Sequence, residues 1–188
     1  MARVTGPLYS MSASGKIGDA MVFFPWKGLS VVREWLKPAN PQSADQGDRR
    51  IIIGGTGRAV GKIKPGSEFA QQLIDLELIP ASQTKQSFIV QYILDNYLTN
   101  PTTYATELAA CTGHTAYTAF GSAATDLTIT EFDLDYASVA PYDSALGLYL
   151  IAKTAIALGF TGTPYSVALA DWTATQIDGL ISDFTTAG

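Results

Sequence analysis

The chain holds one cysteine, Cys111, one histidine, His114, and little charge: Asp, Glu, Lys and Arg make up 15% of its 188 residues. A single thiol excludes an internal disulfide framework. One Cys and one His also fall short of the four ligands of a structural zinc site. On a helix, their three-residue spacing puts them on one face, but nothing there implies a cleft or an oxyanion hole. A buried thiol beside a solvated imidazole is the expectation. The charged fraction lies well below the roughly one quarter usual for soluble domains, while hydrophobic residues reach 47%. A surface so poor in charge points to coverage of part of it by other subunits, with a neutral soluble domain as the alternative.

Long apolar runs are scarce too. Residues 144–160 (SALGLYLIAKTAIALGF) are short for a membrane span, and Lys153 inside them would cost about 2.5–3.5 kcal/mol at a bilayer centre. A buried or subunit-contacting helix is expected there, with no membrane partner. The first residues offer Arg3 but no continuous apolar stretch, so no signal peptide is expected. No repeat with a period of 20–50 residues is visible.

What is present is concentrated in residues 14–50 (SGKIGDAMVFFPWKGLSVVREWLKPANPQSADQGDRR). Met21, Val22, Phe23 and Phe24 form one β-prone run, and residues 29–35 form a second. Pro25-Trp26-Lys27-Gly28 between them carries the Pro and Gly of a tight reversal, so a hairpin is predicted. In the second run Leu29, Val31, Arg33 and Trp35 share one face, and Ser30, Val32, Glu34 and Leu36 share the other. Neither is cleanly polar, so both are expected to meet protein. Pro38 and Pro41 then remove two backbone donors and end the strand. Ser43 with Gln46 has capping-box spacing, which starts a helix at Ala44 that Gly47 weakens by about 1 kcal/mol.

Beyond this stretch, residues 54–66 are rich in glycine and read as a linker. The predicted domains are therefore 1–53 (arm, hairpin and first helix), the linker 54–66, and a mainly helical domain 67–188. Within the last, a helix is expected over 67–78. Another follows a Ser82 or Thr84 cap, a third runs from Pro101 to about Ala124, and strand-like alternation occupies 127–136. A final helix carries Leu169, Trp172, Ile177, Leu180, Ile181 and Phe184. The fold class is α+β: an N-terminal β-hairpin with an extended arm, followed by a mostly α-helical body. For residues 1–13 an arm ordered by a neighbour and a frayed tail both stand.

Charge is unevenly placed. Residues 1–64 hold ten of the twelve Lys/Arg and four acids, a net of +6, whereas residues 65–188 hold two and thirteen, a net of −11. Such halves attract one another within a molecule or between neighbours and can orient assembly; the alternative is two ordinary surfaces with no such role.

Three patterns invite a chemical reading. The stretch GGTGRAVGK (54–62) fails the phosphate-loop spacing, with Thr56 where the first Gly belongs and Ile63 where the hydroxyl belongs. Glu131, Asp133 and Asp135 alternate with Phe132, Leu134 and Tyr136, projecting three carboxylates to one side of a strand. They offer at most weak calcium binding, because Tyr136 stands where an EF-hand loop needs Gly; a solvated or subunit-facing acidic ladder is favoured. Arg49, Arg50, Arg58, Lys62 and Lys64 form the one basic cluster, yet the sequence pI of about 4.7 argues against nucleic acid as the main partner.

The order Ser-Gly-Lys-Ile-Gly-Asp (14–19), an aromatic strand, a Lys-Gly turn, Val31-Val32-Arg33, Lys-Pro-Ala-Asn-Pro (37–41), Gln46 and Arg49-Arg50 resembles the N-terminal signature of small virion structural proteins of tailed bacteriophages and prophages. The resemblance covers about 40 residues. It implies a non-enzymatic component of the particle, in head, neck or tail, with no catalytic residue, cofactor or metal. Its partners would be other virion proteins and copies of itself, with no small-molecule substrate, and its place the virion, with assembly in the host cytoplasm. The expected interface comprises Phe23, Phe24, Trp26, Arg33, Trp35, Pro38, Asn40, Pro41, Arg49 and Arg50; the same aromatic residues would equally serve as an intrachain core. The alternative function is a soluble binding module contacting DNA or a host surface.

Overall fold

A computed structural model describes residues 2–3, 15–17, 20–27, 29–35, 43–130 and 142–186. The expectations for Pro38, Asn40, Pro41, Glu131, Asp133 and Asp135 fall outside these. The chain is α+β and divides into two compact units, Met1–Pro41 and Gln42–Gly188.

The first unit is a four-stranded antiparallel sheet. Its strands are β1 (Ala2–Arg3), β2 (Gly15–Ile17), β3 (Met21–Trp26) and β4 (Leu29–Glu34), in the order β1-β4-β3-β2. The predicted hairpin is β3–β4. Its turn is tighter than expected, because Pro25 and Trp26 belong to the strand and pair with Ser30 and Leu29. Pro25 tolerates this because β2 stops pairing at Phe23, leaving that end of β3 an edge where a missing N–H costs little. Lys27 takes the left-handed backbone that a two-residue loop demands, with φ of 50°. From the N-terminal segment, Ala2 and Arg3 add a strand against Val32 and Val31.

The second unit is helical. α1 (Ala44–Val60) starts as its cap predicts, with the Ser43 hydroxyl accepting from the Gln46 N–H at 3.4 Å. It then runs through the segment expected to be a linker. That correction has a packing cause. A Cβ on Gly55 would lie 2.4 Å from the Tyr142 ring, and one on Gly147 would lie 2.8 Å from the Ala59 Cβ. The glycines are therefore close-approach positions where α1 receives Tyr142 and α6 (Ser144–Ala157). Each helical Gly costs about 1 kcal/mol relative to Ala. Burial of Ile51, Ile52, Ala59 and Val60, each at most 2% exposed, offsets this at roughly 1.5–3 kcal/mol per large aliphatic side chain.

α6 is the centre of this unit, as its composition predicts: eleven of its fourteen residues are buried. Among the described residues no helix is long and apolar enough to cross a membrane. Against α6 pack α1, α3 (Lys85–Asn96), α4 (Pro101–Thr112) and α5 (Tyr117–Asp126), while α7 (Ala174–Thr185) packs on α5 and on α2 (Glu68–Asp75). Ser67 and Thr84 cap α2 and α3, and Asn100 forms a reciprocal capping box with Thr103 ahead of Pro101.

Three expectations are corrected. The single helix from 101 to 124 is two, because Gly113 caps α4 and the next residue, His114, turns inward. At the other end, Leu169 lies in a 3₁₀ turn (Leu169–Asp171), and Trp172 donates its indole N–H to the Val167 carbonyl at 3.1 Å. A capping box between Thr173 and Gln176 starts α7 only afterwards. Finally, residues 127–130 form a turn and its exit rather than strand.

Candidate functional site

The β3–β4 register decides which hairpin side chains stand together. Val22 pairs with Arg33, Phe24 with Val31 and Trp26 with Leu29, so these six share one face. Trp26 is 56% exposed and Leu29 40%. Phe24 and Val22 are half-buried, and the Arg33 guanidinium carbon lies 5.2 Å from the Phe24 ring centroid, a cation–π distance. On the opposite face Phe23 is buried and Met21 is 41% exposed. Among the described residues, half of the exposed large apolar side chains, Met21, Trp26 and Leu29, therefore sit on two six-residue strands.

The expected interface residues separate into groups. Trp26 and Arg33 are exposed, and Phe24 is partly so. Phe23 is only 7% exposed and serves the chain's own packing, while Trp35 is half-buried and its N–H donates to the Ala20 carbonyl at 2.8 Å. Arg49 donates to the Thr99 carbonyl at 2.5 Å, so it ties α1 to the α3–α4 connection rather than standing ready for a partner. Arg50 is exposed. Leu29, absent from the expected interface set, is exposed beside Trp26, as its place in the alternating run next to the turn allows.

The basic cluster is largely occupied within the chain. Arg58, in the last turn of α1, donates to the Thr130 hydroxyl at 3.2 Å, and Lys62, just past the end of the helix, to the Thr128 hydroxyl at 2.9 Å. Thr128 has a φ of 55°, an outlying conformation for a β-branched residue, and the Lys62 contact helps hold it.

The Cys111–His114 pair is not a nucleophile and base. Cys111 is fully buried, and burial first, then the charges of Asp143 and Glu107, push its thiol up to about 12, so no thiolate forms near neutrality. His114 is not solvated as expected. Its Nδ1 accepts from the Ala116 N–H at 3.0 Å, its Nε2 meets the Leu169 carbonyl at 2.6 Å, and its ring packs edge-on to Phe120 and Tyr149. It is a strut between the α4–α5 break and the 3₁₀ turn. The lysine that argued against a membrane span is satisfied locally: Lys153 Nζ reaches both Glu107 oxygens, at 2.6 and 2.7 Å, and lies 4.7 Å from the Tyr97 ring centroid.

No family model, no curated protein and no solved structure matches the chain.

Proposed function

We propose that the chain is a non-enzymatic structural component of a tailed-bacteriophage particle that works by protein–protein docking through its β3–β4 face. One observation carries the docking: Trp26 and Leu29 form a cross-strand pair and are 56% and 40% exposed. Large aromatic side chains dominate interface energetics, and an exposed apolar patch on a sheet edged by short strands favours association. Arg33, stacked on Phe24, adds a cation that desolvates at modest cost. The assignment to a virion rests on the 14–50 signature, whose hairpin is this same structure.

The test is the pair Trp26→Ser and Leu29→Ser in particle-producing cells. The variant is expected to fold with an unchanged melting curve and to be missing from purified particles. Particles that incorporate it at the normal level would remove the docking role. A purified chain that is monomeric at every concentration and is retained on a DNA column in a salt-sensitive way would favour the binding-module alternative instead.

A further inference from the structure

A second surface lies in the helical unit, where residues 63–89 enclose a groove of about 560 Å3. Its floor is apolar: Ile63, Ala70, Leu73 and Ile89 are all at most 4% exposed. Ile74, also lining it, is 45% exposed, an aliphatic lip left in solvent. Lys64 and Lys85 stand along the same groove, and Lys64 is fixed by its N–H bond to the Phe184 carbonyl at 2.9 Å.

The lysines are the informative part. Residues 65–188 carry thirteen acids and only two basic residues, Lys85 and Lys153. Lys153 is held by Glu107, whereas among the described residues neither Lys85 nor Lys64 has an acidic partner. Two like charges beside one apolar groove repel each other unless an anion lies between them. The N-terminal turn of α3, capped by Thr84, adds the positive end of a helix at the same place. Glu77 is the single acid in the lining. It occupies the left-handed position (φ of 51°) after α2, where Gly is favoured, and it calls for a donor rather than a second acid.

Apolar floor, cationic rim and one acceptor together describe an extended segment whose apolar side chains alternate with carboxylates. Residues 131–136 of this chain (EFDLDY) have that composition: Phe132, Leu134 and Tyr136 between Glu131, Asp133 and Asp135. When such a segment is extended, the two sets face opposite sides over roughly 20 Å. The described residues stop at Thr130, tied to Arg58, and resume at Tyr142, packed beside Gly55. The eleven residues between them, 131–141, lie outside the described residues. We propose that the groove receives residues 131–136 of a second copy of the chain. Phe132 and Leu134 enter over Leu73 and Ile89, the carboxylates meet Lys64 and Lys85, and backbone N–H groups or the Tyr136 hydroxyl meet Glu77. Groove and segment are different surfaces, so the contact closes reciprocally in a two-fold dimer or runs head-to-tail in a ring or filament. The inference rests on the assembly reading above and names one of its contacts.

Charge exchange in the full-length protein tests it, with association followed by sedimentation over a range of concentrations. Lys64→Glu with Lys85→Glu is expected to weaken self-association more than tenfold, and Glu131→Lys with Asp133→Lys and Asp135→Lys to do the same. Combining the two sets is expected to restore association to within a few-fold of the original. A labelled synthetic peptide TEFDLDY should bind the unaltered protein, and should lose binding when its leucine becomes serine or when the protein carries the two glutamates. The peptide arm also covers the case in which a charge variant fails to fold. Unchanged association in either charge-reversed protein, no restoration on combination, or a monomer at all concentrations that ignores the peptide would overturn the proposal. The Trp26→Ser, Leu29→Ser protein measured alongside separates the two readings. If it alone loses association, the hairpin contact stands and the groove contact falls.

Discussion

The β3–β4 hairpin and α6 are the two most apolar stretches of the chain, and they treat that character in opposite ways. In α6, Leu146, Leu148, Leu150 and Ile151 are completely buried, and its one charge, Lys153, is neutralised by Glu107. In the hairpin, Phe23 and Val31 are buried, while Trp26, Leu29 and Met21 remain 40–56% exposed. The burial term is the same in both, about 25 cal/mol per Å2, but one set is covered by its own chain and the other is not. Apolar composition alone therefore says that a surface must be covered, and only the fold says whether anything in the chain covers it.

The largest effect is expected where the core is tightest. Gly55→Leu places atoms inside the Tyr142 ring and should destabilise the helical unit by about 3 kcal/mol or more, read by chemical denaturation. A loss under 1 kcal/mol would mean that α1 and Tyr142 do not pack so closely. Glu107→Ala comes next. It strands Lys153, which is 33% exposed, and should cost about 1–2 kcal/mol; Lys153→Met should cost at least as much, because it leaves the Glu107 carboxylate, only 13% exposed, without its cation.

Alkaline pH probes the same side of the comparison. The Cys111 thiol and the Tyr97 phenol, the latter through burial first and then the charges of Tyr92 and Glu107, are both pushed up to about 12. Their protonated forms are favoured by the fold. That contribution is complete below the ordinary values of 9.0 and 10.0 and is lost as pH rises through about 12. The melting temperature should fall progressively above pH 9, and Cys111→Ala should flatten the first part of that decline. Asp183 gives the smallest effect. Burial first, with the neighbouring Glu68 carboxylate adding, raises its carboxyl above 3.8. Its contribution is therefore present below that pH and lost as pH rises through the raised value. Asp183→Asn should raise the melting temperature slightly at pH 7 and leave it unchanged below pH 4.

Local signals were legible in the sequence and non-local ones were not. Ser43, Ser67, Thr84 and Asn100-Pro101 announce helix starts because a cap is a contact across three residues. The glycines of residues 54–61 look the same in a flexible linker as in a packed helix. What decides is Tyr142, far along the chain, so no local pattern could reveal it. The end of α2, at Asp75 rather than Leu78, was hidden for another reason. The helix closes with a left-handed residue that is not Gly, Glu77, bonded back to the Ile74 carbonyl. Of the hairpin face, alternation alone gave the partnership of Val31 and Arg33 with Leu29. The exposure of Trp26 and the burial of Phe23 needed the register.

The most direct measurement is hydroxyl-radical labelling of intact particles and of the dissociated chain, read residue by residue by mass spectrometry. Docking through the hairpin predicts strong protection of Trp26 and Leu29 in the particle, with the buried residues of α6 unreactive in both states. Equal labelling of Trp26 and Leu29 in the two states would contradict it.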